Sequence, residues 1–191
     1  MSGTKSSKLA LLGLALALPA LHGCVPVVVA GGAAVMMAED RRSNGAIIDD
    51  QSIEGKVRGR ISDKYDDQVH VDVVSYNRFV LVVGEVPSPE IKDDIGVIAL
   101  GVENVRNVQN ELMVGPNTSA STRANDAYLT SKVKGRFVSE NKFQANHVKV
   151  VTENGVVYLM GLVKKQEAQD AGDIASTTGG VQKVVKVFEY I

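Results

Sequence analysis

The chain repeats itself, and the length of the repeated unit limits what it can fold into. Lys56-Val57-Arg58-Gly59-Arg60 recurs as Lys132-Val133-Lys134-Gly135-Arg136, 76 residues later. Val71-Asp72-Val73-Val74 recurs as Val148-Lys149-Val150-Val151 at a shift of 77, and Gly84 matches Gly161 at that same shift. Ile98-Ala99 then matches Ile174-Ala175, and Val105 matches Val181, again at 76. One residue inserted and one removed account for the drift. A unit of this length is a duplicated small domain, not a solenoid repeat.

Each copy shows the same order of elements. In copy one, Ile53, Val57 and Ile61 fall on every fourth position, which predicts a helix over 51–64 with Asp49 and Asp50 as its caps. Strands are predicted over 69–75 and 79–83, joined by a turn at Tyr76-Asn77. Pro87-Ser88-Pro89 opens a second helix ending near Leu100, with Asp93 and Asp94 in its early turns, where negative charge suits the helix dipole. A strand over 105–114 completes the copy. Copy two has a helix over 126–139, strands over 148–152 and 156–162, a helix over 165–176 and a strand over 181–190. The Asn154-Gly155 pair between its first two strands is a hairpin signal. This order predicts the α+β class: in each copy, a three-stranded mixed sheet with both helices on one face. The boundaries are 49–115 for the first domain, 116–124 for a linker of loop formers, and 125–191 for the second domain.

The N-terminus carries a different signal. Lys5 and Lys8 precede an apolar run over 9–18, too short to span a membrane comfortably. Leu21-His22-Gly23-Cys24 follows. This resembles the bacterial lipoprotein signal, in which the cysteine is acylated and becomes the first residue of the mature chain. His22 stands where a small residue is usual; the competing reading is an ordinary secretory signal cut near Gly23. Cys24 is the one cysteine in the chain, so an intrachain disulfide is impossible. An exported free thiol would be a liability that acylation removes. Residues 1–23 are then a signal peptide, and 24–48 a lipidated N-terminus and tether. Several acyl chains anchor stably where one does not. Val25, in place of an aspartate, follows the cysteine; the resemblance implies the outer membrane, with the chain facing the periplasm. The Val-, Ala- and Gly-rich stretch over 25–38 lies near the membrane, or its 27–37 part docks on a domain. Residues 39–45 read as a flexible polar tether.

Charge separates the copies. Residues 49–115 hold 7 basic and 13 acidic side chains, net −6, whereas residues 123–191 hold 10 and 7, net +3. Different partners for the two halves are expected. Nucleic acid is excluded as a partner, because the chain is exported and lacks a strongly basic stripe.

The duplicated unit, with Gly84 and Gly161 ending its second strands, resembles the BON domain. A lipoprotein signal followed by two such units resembles the dual BON-domain outer-membrane lipoproteins associated with division and outer-membrane stress. Asn125-Asp126, Val150-Val151-Thr152-Glu153-Asn154-Gly155 and Leu159-Met160-Gly161-Leu162-Val163 are similar to that family's second domain. The resemblance implies a periplasm-facing protein that binds anionic phospholipid through its second BON domain and supports outer-membrane integrity. The alternative is an adaptor or chaperone in outer-membrane protein assembly, with assembly or division proteins as partners, since relatives without a lipoprotein signal look like periplasmic chaperones.

The duplication supplies an internal control for a binding face. At about 100° per residue, Leu129, Val133 and Phe137 form the buried stripe of the first helix in copy two. Tyr128, Ser131, Gly135, Val138 and Lys142 lie opposite, flanked by Lys132 and Lys134. An exposed aromatic with small residues, an apolar residue and lysines suits phospholipid headgroups. In that family an aromatic on the lipid-facing helix falls where Tyr128 stands. The competing reading packs Tyr128 at the seam between domains and leaves the lysines as a solvated face. Copy one offers Ser52, Gly55, Gly59 and Ser62 there, with Asp63 and Asp66 nearby, and neither an aromatic nor an apolar knob. His70 and His147 are repeat equivalents read as structural or solvated, with no metal site expected. Gly84 and Gly161 mark either ligand approach or a strand-end bend with close packing. Asp66-Asp67 and Asp93-Asp94 have no nucleophile or base at a recognisable spacing, so no enzyme and no cofactor are expected.

Overall fold

The computed structural model describes residues 40–191; Cys24, the signal peptide and the 27–37 stretch lie outside the described residues. The elements are α1 (Asn44–Tyr65), β1 (His70–Tyr76), β2 (Phe79–Val86), α2 (Pro89–Leu100), β3 (Asn107–Asn110), β4 (Met113–Val114), α3 (Ala120–Glu140), β5 (Lys149–Glu153), β6 (Val156–Val163), α4 (Lys165–Ser176) and β7 (Lys183–Tyr190). In copy one β1 pairs antiparallel with β2, and β2 pairs parallel with β3 and β4. Copy two repeats this arrangement with β5, β6 and β7. The expected α+β architecture of two mixed sheets, each with two helices, is what the structure shows.

The first helices start earlier than their apolar periodicity predicts. Ser43 caps α1 by accepting the Ala46 N–H at 3.1 Å, and Ser119 caps α3 by accepting the Thr122 N–H at 3.1 Å. These serines are themselves 76 residues apart, so the duplication reaches into the segments read as tether and linker. Asp49 and Asp50 therefore do not cap: both lie inside α1. Asp50 is buried and accepts from the Ser75 hydroxyl at 2.7 Å, the Asn77 N–H at 2.8 Å and the Arg78 N–H at 2.6 Å. Asp126, its repeat equivalent, accepts the N–H groups of Asn154 at 2.9 Å and Gly155 at 2.8 Å. Both hairpin turns run through positive φ, which leaves inward amides in need of an acceptor. Each aspartate ties its hairpin to its helix. The last strand of copy one is also interrupted: the Asn110 side chain accepts the Leu112 N–H at 3.3 Å, and Leu112 drops into the core.

Residues 40–43 are not a flexible tether. Arg42 donates to Asp50 at 2.9 Å and lies 4.2 Å from the centroid of the Tyr76 ring. Arg41 reaches copy two, donating to Glu167 at 2.6 and 2.8 Å and to the Leu162 carbonyl at 2.8 Å. This clasp, helped by the Lys164 N–H, holds the Glu167 carboxyl down at about 2. A carboxylate depressed by folding stabilises the protein above its ordinary range, and that contribution is lost as pH falls from about 4.5 toward 2. Arg41→Gln is expected to cost about 1 kcal/mol at pH 7, allowing for partial solvent screening. The cost should shrink over that acid range, as read from melting temperatures of the two proteins at matched pH.

Three apolar cores account for the packing. Ile53, Val57, Ile61, Val73, Val80, Val82 and Ile95 join α1 and α2 to the first sheet. Val133, Phe137, Val150, Val157, Leu159 and Ile174 join α3 and α4 to the second. The third core lies between the copies: Val74, Tyr76, Leu81 and Val83 meet Val151, Tyr158, Met160 and Val187. Each sheet is thus covered on both faces, and the layers run helix, sheet, sheet, helix. Polar bonds cross the same seam, from Lys149 to Glu54 at 3.1 Å and from Asn77 to Glu189 at 2.6 Å. Burial, and then the charge of Glu85, pushes the seam residue Glu153 up to about 7.

Candidate functional site

Because the seam consumes the sheet faces, the helices are left outermost. The outward face of α3 is therefore free. Leu129, Val133 and Phe137 are buried beneath it, while Tyr128 and Val138 are 62% and 67% exposed. Tyr128 does not pack at the seam. Ser131, Lys134, Gly135 and Lys142 are exposed and Lys132 is half-buried; at about 100° per residue Lys132 and Lys134 flank the tyrosine's face on opposite sides, and Lys142 lies just beyond the helix end. Nothing approaches within 4 Å of where a Gly135 side chain would begin, so the helix surface is open there, about two turns beyond the tyrosine. The Ser131 hydroxyl turns back to the Ala127 carbonyl at 3.0 Å.

The lysines are placed by distinct contacts. The Lys132 ammonium donates to the Gly179 carbonyl at 2.8 Å and stands 5.8 Å from the centroid of the Tyr128 ring. An ammonium has three donors, so this anchored group keeps capacity for a phosphate oxygen. Lys134 forms no ion pair among the described residues. It lines a cleft with Arg42, Tyr76, Val138 and Asn146. Lys142, just beyond the helix end, sits 3.9 Å from Glu140, which is already held by Arg136 at 2.6 Å.

Copy one has the same scaffold and a different surface. Its repeat-equivalent cations are matched by acids of their own domain. Lys56, equivalent to Lys132, faces Glu103 at 3.8 Å, and Arg58, equivalent to Lys134, faces Asp72 at 3.3 Å; Lys64, whose own equivalent is Glu140, holds Asp94 at 2.8 Å. Ser52, Gly55, Gly59 and Ser62 are exposed as expected. One expectation needs correction: the earlier start of α1 carries Ile48 onto this face, 67% exposed, so copy one does have an apolar knob. It has no aromatic and no unmatched lysine pair beside it.

The remaining sequence candidates have structural places. A Cβ on Gly84 would stand 2.0 Å from the His70 carbonyl oxygen, and one on Gly161 would stand 2.3 Å from that of His147. Both glycines serve close strand packing. Asp94 accepts from Lys64 and from the Tyr65 hydroxyl at 2.6 Å, and Asp66 and Asp67 lie in an exposed turn. Sequence reasoning named a seam only as a place for Tyr128 and missed that the two sheet faces form it. Its signal was the run Phe79-Val80-Leu81-Val82-Val83, which lacks the apolar-polar alternation of a sheet with one wet face.

Comparison with known proteins agrees with this architecture. The BON domain model matches residues 49–116 and again 125–191. The chain is 43% identical over 176 residues to the outer membrane lipoprotein DolP of Haemophilus influenzae, covering 90% of each chain. It is 31% identical over 154 residues to a 21 kDa hemolysin of Actinobacillus pleuropneumoniae, covering 80% of this chain and 79% of that one. It is 32% identical over 145 residues to the osmotically-inducible protein Y of Escherichia coli, covering 73% and 72%. Among the described residues no helix is long and apolar enough to cross a membrane.

Proposed function

The chain belongs to the BON-domain family, and from that premise we propose that it is an outer-membrane lipoprotein whose second domain binds anionic phospholipid. Cys24 is the acylated anchor, the chain faces the periplasm, and its work is to support envelope integrity as a binding protein, not an enzyme. The likeness to a lipoprotein of the outer membrane supports the anchor and the location. The contrast between the two first helices supports the binding face. An exposed Tyr128 stands beside Lys132 on α3, with Lys134 exposed on the other flank of that helix, whereas the matching cations of α1 are spent on acids of their own domain.

The chemistry follows from that arrangement. The ring enters the headgroup layer, the open surface at Gly135 admits a headgroup farther along the helix, and the ammonium groups meet phosphate oxygens. A basic residue near an anionic surface contributes about 1 kcal/mol, so the free face alone gives weak binding. The lipid anchor raises the local concentration and converts weak contacts into residence. Flotation with phosphatidylglycerol vesicles tests the reading. Binding should fall as salt rises and be absent with neutral phosphatidylcholine vesicles. Equal binding to both vesicle types would reject it.

One observation favours the adaptor alternative. Val97 and Leu100 on α2 are 70% and 58% exposed beside a cleft lined by Asn107 and Val108 of the edge strand β3. Apolar residues next to an open strand edge suit an extended peptide. Under that reading the chain suppresses aggregation of an unfolded outer-membrane protein, and Val97→Asp abolishes the suppression.

A further inference from the structure

His70, Glu85 and Glu153 converge at the seam between the two copies. Strand periodicity puts them there. Val74 and Tyr76 on β1, Leu81 and Val83 on β2, and Val151 on β5 all face the seam. Two-residue steps from these reach His70, Glu85 and Glu153. His70 and Glu85 are direct partners across β1 and β2. One potential ligand atom from each of the three residues lies within 4.8 Å of the other two.

The bonding around this cluster is incomplete. Thr118, from the segment joining the copies, donates its N–H at 3.1 Å and its hydroxyl at 3.2 Å to Glu85 Oε2. His70 Nδ1 is 3.0 Å from the same oxygen. The other oxygen, Glu85 Oε1, accepts nothing among the described residues, and neither does Glu153 Oε1. The Glu85 side chain is only 3% exposed and the Glu153 side chain 10%. Two buried carboxylates beside each other, each with an orphaned oxygen, oppose folding unless something neutralises them.

We propose that His70, Glu85 and Glu153 form a binding site for a divalent transition-metal ion of the zinc class. One imidazole nitrogen and two carboxylate oxygens are a donor set that zinc accepts, whereas calcium and magnesium favour all-oxygen cages. Three protein ligands leave a fourth position for water, and His70 and Glu153 also line a cleft with Asp72 and Lys149 that gives solvent a route to them. Thr118 holds the outer oxygen of Glu85 and so orients its inner one. Two ligands come from copy one and one from copy two, so the ion staples the domains together. Neither repeat-equivalent histidine showed a ligand set in the sequence; the fold supplies two companions to His70.

Calorimetric titration of the chelator-treated full chain in detergent with zinc chloride tests the site. The wild type should take up zinc and gain melting temperature from it, while magnesium at the same concentration does neither. Glu153→Gln and His70→Ala should each weaken uptake at least tenfold and remove the thermal gain. Glu153→Gln keeps the side-chain shape and can donate to Glu85, so its melting curve in chelator shows that the loss is not unfolding. Zinc uptake by the Glu85→Gln/Glu153→Gln protein as tight as that of the wild type would overturn the proposal. Absence of uptake by the wild type would also overturn it, leaving a shared proton as the neutralising species.

Discussion

Tyr128→Ala weakens binding to phosphatidylglycerol vesicles about tenfold, and Lys132→Ala/Lys134→Ala weakens it about thirtyfold. The first figure follows from withdrawing one aromatic side chain from the membrane interface. The second follows from two cations at about 1 kcal/mol each near an anionic surface. Neither change touches the core. Tyr128 is 62% exposed, and the buried stripe of α3 is made by Leu129, Val133 and Phe137. Folding stability should therefore stay within about 0.5 kcal/mol of wild type, which separates lost binding from lost structure. The matched control is Lys56→Ala/Arg58→Ala in copy one. Those cations are already engaged with Glu103 and Asp72, so their removal leaves vesicle affinity unchanged. Flotation assays on the three proteins at one salt concentration decide the matter. An undiminished affinity for Tyr128→Ala would remove the ring from the mechanism.

Gly84→Ala should be the most damaging glycine-to-alanine change among the described residues. Its φ of 121° is a conformation that residues with a side chain rarely adopt, and a new Cβ would stand 2.0 Å from the His70 carbonyl oxygen. Neither problem can be relieved by rotating a side chain, because the obstacle is the backbone of the partner strand. A loss of about 4 kcal/mol or more is expected, with a fall of roughly 10 °C in Tm. Gly161→Ala should cost less. It meets the same backbone obstacle, 2.3 Å from the His147 carbonyl oxygen, but its φ carries no penalty. Thermal melts of the two variants should rank them in that order. Equal melting temperatures would show that backbone strain at Gly84 contributes nothing.

The duplication made the fold legible. Two matching sets of apolar periods, one strong hairpin pair and a second glycine at the same shift were enough to order the elements and to predict mixed sheets. What escaped is instructive. The early starts of α1 and α3 rest on Ser43 and Ser119, whose capping needs no apolar period and so leaves no trace in one. Asp50 and Asp126 read as caps or helix starts because acidic residues favour those positions; their work on the hairpin amides depends on a long-range contact. Arg41 read as tether because its partner, Glu167, is chosen only once the domains have closed, and Arg42 because its partner, Asp50, read as a cap and not as a buried group inside α1. The outward ridge of α3 was visible on a helical wheel, since helix geometry alone opposes Tyr128 to Leu129, Val133 and Phe137. The His70, Glu85 and Glu153 cluster was not, because it assembles across two domains.

Mapping amide shifts by NMR, as phosphatidylglycerol micelles are added to the chain lacking residues 1–24, tests the central claim most directly. The account predicts perturbations concentrated at Tyr128, Ser131, Lys132, Gly135 and Val138, with Ser52, Gly55 and Gly59 of the duplicate helix silent. Perturbations centred on Ser52 to Gly59, or on the β3 edge beside Val97, would contradict it.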